Sequence, residues 1–220
     1  MKADYTIRPA TMEDVDFLSE TILAAEMSGT DRAGLATLFD LTTDQTKELI
    51  VRMLEEEIDG CEFSVSSFLV ACADDQPVAA VGGWVEGRAE DMPSSLLKSN
   101  LIGFTFPKES MQALAQRRDA VRGIQIERER DALQIEYVYV RPEHRGNDLA
   151  GRLIQTHFAQ AADQQGVHKA QVQVFADNVA AIRSYERLGF TAVRSYRSDD
   201  PDTLRYLPWN EKLLMERKLK

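Results

Sequence analysis

The chain has 220 residues, with 36 acidic against 26 basic side chains, a net charge of −10 and 44% hydrophobic residues. That is an ordinary globular composition, and one domain or two small ones is the expectation at this length. No apolar run approaches the ~20 residues of a membrane span, and the acidic balance argues against general binding to nucleic-acid backbones.

The polar start, Met1-Lys2-Ala3-Asp4-Tyr5, lacks the apolar core of a signal peptide. Two cysteines, Cys61 and Cys72, cannot build a disulfide framework and read as small buried apolar residues. A soluble, cytoplasmic protein is expected. Residues 1–91 carry 6 basic and 20 acidic side chains, a net of −14, and residues 92–220 carry 20 and 16, a net of +4. The asymmetry suits a cationic substrate with an anionic cofactor, and equally suits solubility charge on exposed helix faces.

The first element is a short strand over Tyr5–Arg8, stopped by Pro9. Thr11 is a helix cap followed by acids. Val15, Leu18, Ile22 and Ala25 then recur at helical spacing up to Gly29. A second cap signal at Thr42-Thr43-Asp44 opens a helix carrying Leu49, Ile50, Met53, Leu54 and Ile58, ending before Gly60. Ser67–Ala73 and Val78–Val85 form a hairpin across the turn at Asp74–Pro77, and the pair Gly82-Gly83 weakens it or marks a bulge.

Residues 87–130 read as an insertion with two helices, Ser94–Asn100 and Glu109–Arg122, serving as a lid, a dimer surface or a long connection. Leu133–Val140 is a strand rich in β-branched and aromatic residues, stopped by Pro142. A helix then runs from Leu149 to about Gln165, a strand from Lys169 to Phe175, and a helix from the Asp177-Asn178 cap to Gly189. Strands over Phe190–Tyr196 and Leu213–Leu219 finish the chain, with the segment near Pro201–Trp209 between them as an exposed loop or a partner contact. The order implies one mixed α/β sheet with helices on both faces.

The junction Arg145-Gly146-Asn147-Asp148-Leu149-Ala150-Gly151 carries the chemistry. A helix N-terminus directs free N–H groups and its positive dipole end at an anion. Small residues let phosphate oxygens reach the backbone, and Arg145 adds a forked cation. Some thirty residues on, Asn178, Ala181, Tyr185, Gly189 and Phe190 form a second block.

Together the two blocks resemble the GNAT superfamily of acyl-CoA-dependent N-acyltransferases, most closely over residues 132–196. The start Ile7-Arg8-Pro9-Ala10 with Glu13-Asp14 is similar as well. The resemblance implies a single domain over 1–220, with a mainly antiparallel central sheet flanked by helices and an insertion at about 87–130 before the CoA-binding strand. It implies that the backbone of Val138, Tyr139 and Val140 pairs with the pantetheine arm of acetyl-CoA. It places the pyrophosphate on Arg145, Gly146, Asn147, Asp148, Leu149 and Ala150, and Asn178 on the pantetheine. It makes Tyr185 the general acid to the leaving thiolate. Asp148 stands where the family has glycine, so a carboxylate and a side chain intrude on the pyrophosphate loop.

An amine must lose its proton before it attacks a thioester, so a base is expected. Glu136 is the candidate, because strand alternation puts Gln134, Glu136, Val138 and Val140 on one face. A second position acidic in relatives holds Gln173, which cannot act as a base. Glu86 is the reserve, and Trp84 a wall of the acceptor pocket. His144 and His168 are isolated surface residues, and three histidines without clustered spacing give no metal motif. The expected reaction is acetyl transfer from acetyl-CoA to an amine of a small molecule or peptide, with no metal, nucleic acid or membrane, and with a homodimer open. The competing reading is a CoA-binding regulatory module without turnover.

Overall fold

The computed structural model describes residues 4–219; residues 1–3, most of the polar start, and residue 220 lie outside the described residues. Seven strands form one sheet: β1 Thr6–Pro9, β2 Phe68–Ala73, β3 Gln76–Val85, β4 Leu133–Val140, β5 Lys169–Phe175, β6 Thr191–Arg197 and β7 Glu211–Lys218. Their order is β1-β2-β3-β4-β5-β7-β6, and every neighbouring pair is antiparallel except β4 and β5.

The helices are α1 Val15–Met27, α2 Gly34–Leu38, α3 Thr43–Glu55, α4 Ser94–Thr105, α5 Lys108–Arg117, α6 Asp119–Arg122, α7 Leu149–Ala162, α8 Val179–Arg187 and α9 Thr203–Tyr206. Two cores result, one on each face of the sheet. One packs α1, α3 and α4 against residues such as Phe68, Val70 and Ala80. The other packs α7 against Leu69, Val81, Ile135 and Val172. No described helix is long and apolar enough to cross a membrane.

The elements depart from expectation where charge or a breaker overrides periodicity. Helix α3 stops at Glu55, and Ile58 lies outside it and exposed. Glu55, Glu56 and Glu57 crowd the negative end of that helix, and Glu57 leaves it at φ 51°. The insertion holds three helices, not two: the first runs on to Thr105, where Pro107 disfavours a helical Phe106, and the expected second is divided at Arg118 into α5 and α6. Helix α7 ends three residues before Gln165. The segment before β7 is not a free loop. Its short α9 docks within the chain, where Thr203 Oγ1 donates to the Ala120 carbonyl at 2.8 Å and Thr37 Oγ1 donates to the Tyr206 carbonyl.

The feature that shapes the molecule is a bulge in β4. Ala80 pairs with Tyr139 and Gly82 with Glu136, so one residue of β3 faces two of β4. Tyr137 takes up the extra length at φ 53°, which strains a bulky side chain. The glycines opposite allow close approach. A Cβ on Gly82 would stand 3.0 Å from the Glu136 carbonyl oxygen, and one on Gly83 would stand 2.7 Å from His157 Nδ1. Beyond the bulge β4 leaves β5: the two pair only over Leu133–Ile135 and Ala170–Val172.

Candidate active site

The parting of β4 and β5 leaves a strand edge open. The Arg141 N–H donates to the Val78 carbonyl and Val140 lies opposite Ala79. Alternation therefore turns the N–H and C=O of Val138 and Val140 away from β3, toward the gap. The bulge also overturns the expected common face. Val138 and Val140 pack with the α7 core, whereas Tyr137 and Tyr139 pack with the α1 core. Gln134 and Glu136 keep the α1 face, so Glu136 and Val138 lie on opposite faces because the extra residue breaks the period of two.

At the end of β4 the chain turns through a short 3-10 segment, Pro142–His144, into α7. Arg145 Nε donates to the Val140 carbonyl at 3.2 Å, which draws the guanidinium over the strand end. Asn147 Nδ2 donates to the His144 carbonyl at 3.0 Å. Gly146 and Asp148 both sit at positive φ, 83° and 54°. The first intrahelical bond runs from the Arg152 N–H to the Asp148 carbonyl. The N–H groups of Leu149, Ala150 and Gly151 therefore find no acceptor among the described residues, as a helix start dictates. These donors, Arg145 and the open edge of Val138 and Val140 fit a ligand made of an extended arm and a pyrophosphate. Asp148 bends its carboxylate back over Gly151, where a Cβ would stand 2.4 Å from Oδ1.

Asn178 caps α8: its Oδ1 accepts from the Ala181 N–H at 3.2 Å, while Nδ2 donates to Ser28 Oγ at 2.9 Å. It thus ties α8 to the end of α1. Tyr185 is buried on α8, edge-on to Phe190 with ring centroids 5.8 Å apart. Its hydroxyl has no hydrogen-bond partner among the described residues. Burial, with a smaller push from Glu136, raises its pKa well above the usual phenol range.

Glu136 is not a solitary carboxylate. Arg128 reaches its Oε1 through Nε at 3.1 Å and an NH2 nitrogen at 2.6 Å. The same nitrogen donates to Oε1 of fully buried Glu62 at 2.9 Å, which also accepts from Lys98 Nζ at 2.9 Å. Burial pushes Glu62 upward, but Lys98 and Arg128 more than offset it and hold the pKa down to about 2. Trp84 and Glu86 support this cluster. Glu86 accepts from Trp84 Nε1 at 3.1 Å, from the Ser94 N–H at 2.8 Å and from Ser94 Oγ at 2.6 Å. Its carboxylate therefore seats the start of α4. Arg128 stacks over the Trp84 ring at 5.1 Å and donates to Ser94 Oγ.

The insertion thus reaches the candidate site, where Lys98 and Arg128 pair with Glu62 and Glu136. Sequence reasoning missed both cations, together with Glu62, Glu26 and Lys212. The only available signal was the charged run at 125–130. Gln173 lies beside the insertion, its Nε2 3.5 Å from the Ile126 carbonyl. His144 is half-buried against Tyr5, whose hydroxyl lies 3.1 Å from Nδ1, and is not isolated; His168 is exposed.

The comparisons agree with this geometry. A sequence model of the acetyltransferase (GNAT) family matches residues 35–190. Among solved structures, an N-acetyltransferase from Staphylococcus aureus Mu50 is similar at a TM-score of 0.69 and 14% identity, over 96% of this chain and 100% of that one. The yncA protein of Salmonella typhimurium, determined with its cofactor acetyl-CoA, matches at 0.55 and 16% identity, over 99% and 95%. An agmatine N-acetyltransferase matches at 0.54 and 18% identity, over 98% and 99%. No curated protein matches.

Proposed function

Since the chain belongs to the GNAT acetyltransferase family, we propose that it is an N-acetyltransferase carrying acetyl from acetyl-CoA to a primary amine of a small molecule or peptide by direct attack. The observation that carries the reading is the gap opened by the Tyr137 bulge, lying beside the unsatisfied first turn of α7. Val138 and the N–H of Val140 offer their backbone edge to the pantetheine arm, with the Val140 carbonyl holding Arg145 and Tyr139 fixing the strand by its bond to Glu20 on α1. Arg145, Gly146, Asn147, Leu149 and Ala150 hold the pyrophosphate, with Asp148 as the discordant member, and Asn178 borders the arm.

Acetyl-CoA supplies the activated acyl group as a thioester. The chain supplies positioning, which provides much of the acceleration of such a transfer. Glu136 takes the proton of the incoming ammonium, directly or through water, on Oε2, since Oε1 carries both contacts from Arg128. The amine nitrogen then bonds to the acyl carbon as the carbon–sulfur bond breaks, and the second proton that the nitrogen sheds on becoming an amide passes to the sulfur, which leaves as the thiol. Tyr185, kept protonated by its burial, donates a hydrogen bond to the sulfur as it gains charge. Trp84 and Glu86 act at one remove, seating α4 and Arg128 around Glu136.

The Asp148 carboxylate in the pyrophosphate loop and the Arg128 clamp on Glu136 favour a second reading, a CoA-binding module without turnover. Calorimetry with CoA, followed by mass analysis of an amine mixture incubated with acetyl-CoA, separates the two. Binding with an acetylated amine supports the enzyme. Binding without product supports the module, and absence of binding rejects both.

A further inference from the structure

Of the six charged groups around the gap, Glu26 and Lys212 make no ion pair among the described residues. Glu26 from α1, Glu62, and Glu136 from β4 face Lys98 from α4, Arg128, and Lys212 from β7. Lys98 and Arg128 are spent on Glu62 and Glu136. Glu26 is held by neutral donors: its Oε1 accepts from the Tyr137 hydroxyl at 3.3 Å and its Oε2 from the Leu35 N–H at 3.2 Å. Lys212 has no ion pair and no hydrogen bond among the described residues. Its Nζ rests 4.9 Å over the Phe175 ring.

Lys212 is also aimed at the gap. It pairs in register with Phe175 on β5, past the point where β4 has left β5. Leu213 and Met215 pack with the α7 core, so alternation turns Lys212 to the opposite face, the one that carries Glu136 and Tyr137. Burial lowers its pKa, while Glu26 and Glu136 pull the other way. Glu26 and Glu136 act on Lys212 only at a distance, and a half-buried ammonium with no direct acceptor is costly to keep unless a ligand supplies one.

We propose that the acceptor amine carries a carboxylate, and that Lys212 is the residue that binds it while Glu136 and Glu26 face the amine end. This rests on the acetyltransferase reading above and narrows its substrate to amino acids or amine-bearing acids. It runs against the hint from overall charge. The acidic N-terminal half does send Glu26 and Glu62 to the site, but the insertion answers with Lys98 and Arg128. A diamine would set its second cation beside Lys212.

The test uses matched acceptors: β-alanine, 3-aminopropylphosphonate, propylamine and 1,3-diaminopropane. Binding of each to the CoA-loaded protein is measured by calorimetry, and acetyl transfer by kcat/KM, in the wild type, Lys212→Met and Lys212→Glu. One charge-assisted contact corresponds to a preference of about tenfold or more for β-alanine over propylamine. Lys212→Met should erase that gap in both readouts, and Lys212→Glu should favour the diamine. The phosphonate bound better than β-alanine would overturn the carboxylate assignment. No preference for acids in the wild type, no binding of either acid, or a preference that survives Lys212→Met would overturn the proposal while the acetyltransferase reading stands. A wild type that does not bind acetyl-CoA overturns both. Unchanged acetyl-CoA affinity in the variants shows that they have folded.

Discussion

Arg128 grips Glu136 with two nitrogens on a single oxygen, Nε at 3.1 Å and an NH2 nitrogen at 2.6 Å. Because the same guanidinium bonds Glu62 at 2.9 Å, one insertion residue couples a sheet carboxylate to a carboxylate with no exposed surface. Desolvation would favour the neutral acid at Glu62, so the arrangement stands only while its cations do.

Removal of Arg128 therefore strands Glu62 with Lys98 alone. Arg128→Met should destabilise the fold by about 3–5 kcal/mol, a fall in Tm on the order of 10 °C at this size. Adding Glu62→Gln should recover part of that loss, because the uncompensated charge is gone. Thermal denaturation of the three proteins checks this. A single variant as stable as the wild type would show that Lys98 suffices.

That cluster also marks where sequence reasoning stops. The β4–α7 junction is legible because its parts are contiguous: a strand, a proline, an arginine and small residues opening a helix. The element order follows from local periodicity for the same reason. The Arg128–Glu62 pair joins residues 66 positions apart, and a charged run reads locally as solvent-facing. The bulge leaves a trace only on β3, where Gly82-Gly83 signals an irregularity next to the register shift, and none on the strand that carries the extra residue. Tyr137 in an otherwise regular β-forming run predicts an extended residue, and only the tertiary register shows its positive φ. One missed residue was enough to reverse the face assigned to Val138 and Val140.

The buried His157 sets an acid limit on stability. Its Nε2 lies 3.0 Å from the Val81 carbonyl, and burial lowers its pKa to about 4 against the small opposing effect of that bond. The unfolded imidazole takes its proton near pH 6.5 and the folded one does not until about pH 4, so stability is lost as pH falls across that window. The loss amounts to about 3 kcal/mol. His157→Gln, which can keep a donor to Val81, should flatten the slope of Tm between pH 6.5 and 4. An unchanged slope would assign the acid sensitivity to other groups.

Asp148 occupies a left-handed position at the start of α7, a conformation that glycine adopts without strain. Its carboxylate also lies over the first turn, on the side where the helix presents its positive end. Asp148→Gly should tighten CoA binding by about threefold to tenfold, in line with one like-charge term of about 1 kcal/mol at a helix terminus. Calorimetry reads this directly. Weaker binding would mean that Asp148 orders the loop more than it repels the ligand.

Tyr185 separates chemistry from binding. Its phenol is buried, unpartnered and held protonated, on the helix capped by Asn178. If it donates to the departing sulfur, the ring matters to packing and the oxygen only to the reaction. Tyr185→Phe keeps the ring against Phe190 and removes one atom, and burying one hydroxyl fewer costs the fold little. The variant should bind acetyl-CoA with an unchanged Kd and lose kcat by about a hundredfold or more. Its KM for the amine should move little, since the hydroxyl acts after the amine is seated. Pre-steady-state measurement of the acetyl-transfer step gives the cleanest reading, because slow product release can hide a chemical defect in kcat. Equal single-turnover rates in the two proteins would remove Tyr185 from the chemistry and leave it as a wall of the gap.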